Sequence, residues 1–302
     1  MIYTVTLNPA LDKTVEIPGM ALDTVNRITS MRTDPGGKGI NVSKVIAKLG
    51  GESCAVGILG GESGRTLLAA LEREGLRTHF RFVEGQTRPN LKIIDRALHT
   101  NTDINEPGLT VSPADLDALL RDLLGMVREG DIVVLAGSLP QGAPQDTYRV
   151  WTAACREKGA RVCLDADGVL LAEGLKAAPY LIKPNEDELS RLVGHRLTDT
   201  DELIAEGRRL LKGGVTRVVI SLGEHGALYL RGNEVLYAEG LSVPVDSVVA
   251  ALAYADSLDM SDEDAVRLST ATGAANVMCS GTQPAEREAV EKLLPQVKIR
   301  RI

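Results

Sequence analysis

The stretch that decides the fold is Asp34-Pro-Gly-Gly-Lys-Gly-Ile-Asn-Val-Ser-Lys-Val-Ile-Ala-Lys-Leu-Gly50, a glycine-rich turn followed by a helical pattern. Its apolar residues recur at helical spacing and predict a single stripe that faces a core: Val42, Val45, Ile46 and Leu49. We therefore expect a helix that begins close to Gly39 and ends at Gly50, because glycine suits the left-handed position after a helix.

The glycine turn has the properties of an anion-binding site. Gly36, Gly37 and Gly39 have no Cβ atom, so their backbone allows a ligand to approach closely. The first turn of a helix has free amide groups that attract an anion, and Lys38 adds a positive charge at the same place. The alternative interpretation is an ordinary glycine-rich connection with a solvated lysine.

Length and composition are those of a globular protein. The chain has 302 residues, of which 44% are hydrophobic and 25% charged, and its net charge is -7. It is long enough for one large α/β domain with a smaller appendage. The negative charge argues against nucleic acid or an anionic membrane as a partner. The first strand has no basic region before it and the four cysteines have no metal-ligand spacing, which predicts a cytoplasmic protein with reduced thiols.

Apolar runs of strand length alternate with helical patterns, which predicts a mostly parallel sheet with helices on both faces. The predicted strands are residues 2–7, 53–59, 132–136, 161–164, 180–182 and 217–220, and a hairpin at 227–238 is expected at one sheet edge. The predicted helices are residues 65–74, 114–127, 146–158, 186–193 and 201–212, with further helices from 246 to the C-terminus.

Two segments do not fit this alternation. Residues 13–33 and 87–105 contain short alternating stretches with no helical stripe. We expect them to meet as a small antiparallel sheet that stands off a main domain formed by residues 1–12, 34–86 and 106–302. Such an appendage either closes over a ligand or forms a dimer contact, and the sequence leaves both alternatives open.

Small or polar residues follow most predicted strands, at the sheet edge where open parallel sheets bind ligands. Each one alone is an ordinary turn or cap residue, but together they predict the rim of a site. They are Asn8 and Asp12, Gly137 and Ser138, Asp165, Lys183 and Asn185, and Ser221 and Gly223.

Several classes of protein are excluded by the motifs that the chain lacks. The first strand is not followed by G-x-G-x-x-G, which argues against a dinucleotide-binding dehydrogenase. The motif G-x-x-x-x-G-K-[ST] is also absent from the sequence, which excludes a P-loop nucleotide enzyme. The histidines are unclustered and offer neither a metal site nor a catalytic triad: His79, His99, His195 and His225.

Two helix starts have both a structural and a chemical interpretation. Asn185 and Glu188 fit a capping box, and the same pair suits the water shell of Mg²⁺. Asp246 fits a helix cap, and in the chemical interpretation it accepts the proton of an attacking hydroxyl group. The segment Ser221–Gly226 offers amides and a hydroxyl group to phosphate oxygens.

Motifs along nearly the whole chain match a known family: Thr6–Asp12, Gly36–Val42, Thr102–Gly108, Ala136–Pro140, Lys183–Leu189, Ser221–Gly226 and Ala271–Asn276. By these motifs the chain resembles the ribokinase-like sugar kinases of the phosphofructokinase B type, in the branch of 1-phosphofructokinases and tagatose-6-phosphate kinases. The segments Arg88–Lys92 and Thr102–Gly108 look more like those of fructose-1-phosphate kinases, so the resemblance favours fructose 1-phosphate as the acceptor, with tagatose 6-phosphate as the alternative.

The resemblance implies ATP- and Mg²⁺-dependent phosphorylation of a ketohexose monophosphate to the bisphosphate, with Asp246 as the general base. It implies that the sugar phosphate is bound by Asp12, Gly37, Lys38, Asn41, Arg88, Ser138 and Arg27. It implies a nucleotide site formed by Lys183, Asn185, Ser221, Gly223, Gly226 and Asn276, with Glu188 and Asn185 holding Mg²⁺ through water. It further implies that the segments 13–33 and 87–105 form a β lid and that two chains form a homodimer through this lid.

The chain departs from the family pattern just before the predicted base. The family has a Gly-Ala-Gly-Asp turn whose amides form an anion hole, whereas here residues 241–245 run directly into Asp246. Either a short segment is missing from this sequence, which the intact pattern on both sides favours, or the protein lacks the turn. In the second case the chain is a catalytically inactive homologue that binds sugar phosphate or nucleotide, because oxyanion donors contribute about 2.7–4 kcal/mol each.

Overall fold

A ten-stranded sheet forms the centre of the fold. The computed structural model describes residues 1–240, 245–279 and 283–302 of the chain. The strands of this main sheet are β1 (Ile2–Thr6), β4 (Ser53–Gly60), β5 (Arg77–Val83), β8 (Ile132–Ala136), β9 (Arg161–Asp165), β10 (Leu181–Ile182), β11 (Arg217–Ser221), β12 (Gly226–Arg231), β13 (Glu234–Glu239) and β14 (Ile299–Arg301). Their spatial order is β14-β13-β12-β11-β10-β9-β8-β1-β4-β5. Every pairing from β5 to β11 is parallel, and β12, β13 and β14 add antiparallel strands at one side.

Helices cover both faces of the sheet, as the alternating pattern predicted. The helices are α1 (Lys38–Lys48), α2 (Gly61–Arg73), α3 (Pro113–Met126), α4 (Thr147–Glu157), α5 (Gly168–Leu175), α6 (Glu186–Val193), α7 (Thr200–Lys212), α8 (Val245–Ser257), α9 (Asp262–Val277) and α10 (Arg287–Leu293). One core joins the sheet to α1, α8 and α9 through residues such as Ile46 and Leu252. A second core joins the other face to α3, α4 and α7 through residues such as Leu119 and Trp151.

The glycine-rich stretch forms the predicted turn and helix. The four residues of the predicted stripe are all buried: Val42, Val45 and Ile46 in α1, and Leu49 directly after its last residue. Gly50 has a φ of 86° and ends the helix in the left-handed region. The N-cap residue Gly37 has a φ of 125° and no side chain to cap the other end. The amide of Ile40 in the first turn donates to Oγ1 of Thr6 at 2.9 Å, which leaves the amides of Lys38 and Gly39 for a ligand.

The position of α1 depends on the absence of a side chain at Gly39. A Cβ atom there would lie 2.5 Å from the carbonyl oxygen of Val5 in β1. We expect Gly39→Ala to lower the free energy of unfolding by about 1–3 kcal/mol, because backbone cannot move aside at low cost. Gly125→Ala is the matched control, since nothing lies within 4 Å of the Cβ position there, and it should raise stability by about 0.5–1 kcal/mol. Urea denaturation measures both, and equal stability of the two variants would contradict the packing argument.

A second sheet of four strands stands beside the main one. Its strands are β2 (Ala10–Glu16), β3 (Ser30–Gly36), β6 (Arg88–Asp95) and β7 (Thr100–Asn105), in the order β3-β2-β6-β7. The two odd segments therefore meet as predicted, but the prediction of a purely antiparallel sheet was wrong. Strands β2 and β6 pair in parallel, since each continues from a different parallel strand of the main sheet. The strands also extend beyond the predicted bounds, to Ala10 and Gly36.

Three elements were not predicted from the sequence. Strand β5 alternates charged and apolar residues at the sheet edge, and α5 is a short helix of 8 residues. Strand β14 pairs with β13 and forms the edge of the main sheet. The prediction of helices up to the C-terminus was therefore wrong for β14. The prediction that the hairpin β12–β13 lies at the sheet edge was also wrong. The departure from the family pattern at residues 241–244 lies outside the described residues. Among the helices described, none has the length and apolar character needed to cross a membrane.

Candidate active site

An open cavity of about 310 Å³ lies beyond the carboxyl ends of β1, β8 and β9. Six of the seven residues expected to bind the sugar phosphate line it: Asp12, Gly37, Lys38, Asn41, Arg88 and Ser138. Side chains from the main domain and from the second sheet meet in this cavity, because β2 and β6 bring Asp12 and Arg88 to its wall. Arg27 is exposed in the connection between β2 and β3 and is not among the lining residues.

Lys38 is the central cation of the cavity. Its Nζ atom lies 3.6 Å from Oδ1 of Asp165, a buried residue at the end of β9. Burial alone would lower the pKa of Lys38, but the carboxylates of Asp165, Asp246 and Glu188 outweigh it and raise the pKa above its ordinary value. Lys38 therefore remains charged and can bind an anion.

Asp246 lies in the first turn of α8 and is joined to α1. The Nδ2 atom of Asn41 donates a hydrogen bond of 2.9 Å to its Oδ2 atom. Burial and the nearby carboxylate of Asp165 raise the pKa of Asp246 to about 6, against the opposing influence of Lys38. A carboxylate of this pKa is ionised at neutral pH and is still basic enough to take up a proton.

Arg88 is held at the cavity by backbone carbonyl groups. Its Nη1 atom donates to the carbonyl oxygen of Glu106 and its Nη2 atom donates to that of Asn8, at 2.6 and 3.2 Å. The Nε atom is buried without a hydrogen-bond partner among the described residues. Asn8 also donates to the hydroxyl group of Ser138, which lines the same cavity. An anion that enters here meets a positioned guanidinium group.

Asp12 is oriented by a neighbour in the second sheet. Asn90 is its register partner and donates a hydrogen bond of 2.9 Å to its Oδ1 atom. The Oδ2 atom lies against Gly36, where a Cβ atom would come within 1.9 Å. Burial raises the pKa of Asp12. Asn90 lines the cavity and was not predicted as a site residue, although it lies within the Arg88–Lys92 motif.

Several buried polar atoms around the cavity have no hydrogen-bond partner among the described residues. Buried polar groups are nearly always paired in native proteins, so unpaired ones at one cavity indicate a ligand. Three of them belong to residues that line the cavity: Oδ1 of Asn41, Nε of Arg88 and Oδ1 of Asn90. Two more belong to residues whose charges act on Lys38 and Asp246, namely Oδ2 of Asp165 and Nζ of Lys183. Asp165 was predicted from the sequence as part of the rim of the site, without a role of its own.

The next strands along the sheet position the residues expected to bind the nucleotide. Asn185 and Glu188 form the predicted capping box at the start of α6, with hydrogen bonds of 2.9 and 2.7 Å. Asn185 also pairs with Ser221 through a single β-bridge, so β10 and β11 end side by side. Lys183 is buried at 2% exposure, and its positive charge acts on Asp246. The two halves of the predicted site are therefore neighbours.

Three other residues expected at the nucleotide have structural roles of their own. Gly223 and Gly226 have φ values of 58° and 106°, which glycine adopts readily, and they shape the turn between β11 and β12. Asn276 donates to the hydroxyl group of Ser247 and accepts from the amide of Ala285 at 2.7 Å. Asn276 thus links α8, α9 and the segment before α10.

Comparison with known proteins identifies the class that this fold and site define. Residues 5–289 match the pfkB family carbohydrate kinases. The chain is 37% identical over 314 aligned positions to 1-phosphofructokinase of Bacillus subtilis (strain 168), with 100% of each chain covered. It is 40% identical over 280 positions to 1-phosphofructokinase of Xanthomonas campestris pv. campestris, with 89% of this chain and 88% of that one covered.

The fold leads to the same class. The structure of phosphofructokinase-2 from Escherichia coli in complex with fructose-6-phosphate has a TM-score of 0.90 and 29% identity, with 98% of each chain covered. The mostly parallel sheet with helices on both faces and a second small sheet is of the ribokinase-like kind, as in this neighbour. The chain belongs to the pfkB family of carbohydrate kinases, and membership implies the use of ATP.

Proposed function

We propose that the protein transfers the terminal phosphoryl group of ATP to the free primary hydroxyl group of fructose 1-phosphate and forms fructose 1,6-bisphosphate. The observation that carries the proposal is that Asn41, which lines the cavity together with Lys38, donates a hydrogen bond to Asp246, whose carboxylate also feels the charge of Lys38. The site thus combines a positive charge for an existing phosphate with a carboxylate next to the cavity wall that can accept a proton. The names of the relatives support the choice of fructose 1-phosphate.

Each side chain in the proposed mechanism has one task. Lys38, Arg88 and Ser138 bind the phosphate that the sugar already carries, and Asp12, Gly37 and Asn41 bind its hydroxyl groups. The free primary hydroxyl oxygen attacks the terminal phosphorus of ATP, ADP leaves, and the hydroxyl proton moves to Asp246. Arg27, on the exposed connection between β2 and β3, does not line the cavity and has no task in the proposed mechanism.

The nucleotide is proposed to bind along β10 and β11, where Lys183, Asn185, Ser221, Gly223, Gly226 and Asn276 lie. The unpaired Nζ atom of Lys183 supports this placement, because a buried ammonium group needs an anion. Among the described residues no three His, Cys, Asp or Glu side chains cluster as a metal site. This fits Mg²⁺, which keeps several waters, and Glu188 with Asn185 would hold those waters. Bound Mg²⁺ neutralises charge on the phosphates.

The experiment that tests the activity is a coupled assay of ADP formation with fructose 1-phosphate and with tagatose 6-phosphate. The proposal expects kcat/KM to be higher with fructose 1-phosphate. A preference for tagatose 6-phosphate would leave the chemistry intact and change the substrate. No ADP formation with either sugar, from a chain of verified mass, would overturn the proposed function.

A second candidate is a catalytically inactive protein that binds sugar phosphate or nucleotide. The observation that favours it is the direct run of residues 241–245 into Asp246, without the glycine turn of the family pattern. Intact mass spectrometry distinguishes the candidates cheaply. A mass above 32.2 kDa by several residues would indicate a natural segment missing from this sequence and argue for the enzyme.

We also propose that residues 13–33 and 87–105 form a lid separate from the kinase domain of residues 1–12, 34–86 and 106–302, and that two lids meet in a homodimer. Apolar side chains exposed on the second sheet and its connections support this, since monomeric proteins rarely expose such a patch. They include Leu22 at 89%, Val25 at 75% and Met31 at 57% exposure. Escherichia coli phosphofructokinase-2 has a tetrameric inhibited form.

Sedimentation velocity of Val25→Asp and of the unchanged chain tests the contact between the lids. We expect the substitution to shift the chain from dimer to monomer, and a dimer that is unaltered in Val25→Asp would argue against this contact.

The pKa of Asp246 predicts how turnover depends on pH. Only the carboxylate form accepts a proton, and burial with Asp165 raises the pKa of Asp246 to about 6. We expect kcat to fall about tenfold per pH unit below that value and to level off above it. Asp165→Asn removes a negative charge, so the fall should begin at a lower pH. A sugar phosphate also titrates near pH 6, and an unchanged profile in Asp165→Asn would assign the fall to the substrate instead.

A further inference from the structure

Lys44 is a buried cation that the proposed mechanism does not use. It lies in α1, and its residue is only 5% exposed. Its Nζ atom donates a hydrogen bond to the carbonyl oxygen of Pro35. Among the described residues no carboxylate oxygen pairs with it within 4.0 Å. A buried ammonium group that contacts a carbonyl rather than a carboxylate is costly, which indicates that this contact has a role.

The carbonyl group that Lys44 holds lies at the junction between the two sheets. Pro35 is next to last in β3, and Gly36 and Gly37 then lead directly into α1. Gly36 lies against the carboxylate of Asp12, and Gly37 lines the cavity. The hydrogen bond from Lys44 therefore fixes the backbone immediately before the two glycines that shape the sugar side of the cavity.

The charges around Lys44 agree with such a role. Burial lowers the pKa of Lys44, while the carboxylates of Glu74, Asp34 and Asp12 oppose that change and Arg32 adds to it. Lys44 in turn lowers the pKa of Asp12 against the effect of burial. The ammonium group thus stabilises the ionised form of the carboxylate that lies against Gly36.

We propose that Lys44 is a positioning residue of the sugar site: its hydrogen bond to Pro35 holds the turn of Gly36 and Gly37 in place against Asp12. The proposal rests on the proposed function, since it names the sugar phosphate as the ligand that depends on this turn. Lys44 itself touches neither the sugar nor ATP. Its removal should therefore weaken sugar binding without blocking the chemical step.

The test compares three variants. Lys44→Met keeps the length of the side chain and removes the donor, and Lys44→Arg keeps a buried donor. Lys48→Met is the matched control, because Lys48 lies one turn further along α1, is exposed and pairs with Glu286. We expect Lys44→Met to raise the KM for fructose 1-phosphate about tenfold, the effect of about 1.4 kcal/mol. The KM for ATP and kcat should change less than about twofold, and the other two variants should resemble the parent chain.

Thermal denaturation and hydrogen exchange of the same variants separate positioning from folding. Lys44→Met removes a costly buried charge but leaves the carbonyl oxygen of Pro35 without its donor, and because these effects oppose each other we expect its melting temperature to stay within a few degrees of the parent chain. Its amides at residues 36–41 should exchange faster, while those of β4 should not change. Equal rises in both KM values, an unchanged KM for the sugar, or unchanged exchange at residues 36–41 would each overturn the role of Lys44.

The two proposals fail in different ways. If the parent chain forms no ADP with any sugar, the proposed function falls, and hydrogen exchange alone then decides whether Lys44 holds the turn. If the parent chain is active and Lys44→Met behaves like it, the function stands and the positioning role is rejected.

Discussion

Asp246→Asn should lower kcat by about 10²–10⁴-fold and leave both KM values close to those of the parent chain, as expected for loss of a general base. The substituted amide retains an oxygen that accepts the hydrogen bond from Asn41, so the geometry of the site is preserved. What it loses is the ability to take up the proton of the attacking hydroxyl group. Steady-state kinetics with fructose 1-phosphate and ATP measure the effect.

Stability provides a second readout for the same variant. The pKa of Asp246 is raised from 3.8 to about 6 in the folded state, so ionisation is easier in the unfolded chain. Protonated Asp246 therefore adds to the free energy of unfolding at low pH. This contribution is lost as the pH rises from 3.8 through about 6. Above pH 6 the neutral amide avoids this loss, and we expect Asp246→Asn to melt higher than the parent chain.

Asp259→Asn is the matched control for this experiment. Asp259 is an exposed carboxylate just after α8, and its φ of 51° is one that asparagine tolerates well. Turnover of this variant should equal that of the parent chain. Near-normal kcat in Asp246→Asn would remove Asp246 from the role of base, and a large loss in both variants would point to a defect of α8 instead.

Lys38→Met should raise the KM for fructose 1-phosphate by about 30-fold, since the loss of a hydrogen bond between charged groups costs about 1.5–3 kcal/mol. Part of the effect comes from the phosphate, which loses its cation. Another part comes from Asp165, which lies 3.6 Å from the ammonium group and is 3% exposed at its side chain, so its carboxylate would be left uncompensated. The variant should also melt at a lower temperature.

The KM for ATP distinguishes the two substrates in this test. We expect it to rise much less than the KM for the sugar, because Lys38 lines the cavity with Asp12 and Arg88. Lys48→Met, on the exposed side of the same helix, should change neither value. Equal rises for ATP and fructose 1-phosphate would show that Lys38 does not belong to the sugar site alone and would refute its assignment.

The main features of the site were predictable because they depend on local backbone chemistry. Glycines without side chains, a helix start and polar residues after buried strands place Lys38 and Ser138 at one edge of a parallel sheet, whereas Asn41 was predicted only from the family resemblance. The capping box of Asn185 and Glu188 was predictable for the same reason, since its geometry is set within four residues. The prediction of Asp246 as a base stays a prediction, although the structure places it beside Asn41.

Other residues depend on contacts that no short segment encodes. Asp165 forms an ion pair with Lys38, which belongs to another element. Asn90 donates a hydrogen bond to Asp12 across a parallel strand pair. Asn276 was predicted at the nucleotide, yet its side chain bonds to Ser247 and to the backbone before α10. Such pairings depend on how strands and helices are arranged in space.

The sequence by itself determined the class of fold, the helix that starts at the glycine turn and the edge of the sheet that binds ligands. The reason is that apolar periodicity and the conformational freedom of glycine act over a few neighbouring residues. Only the tertiary structure decided that β2 and β6 pair in parallel, that β14 covers the sheet edge and that Lys44 holds Pro35. Pairing and burial of charge depend on distant segments, because each pair forms only when the packed core brings its members together.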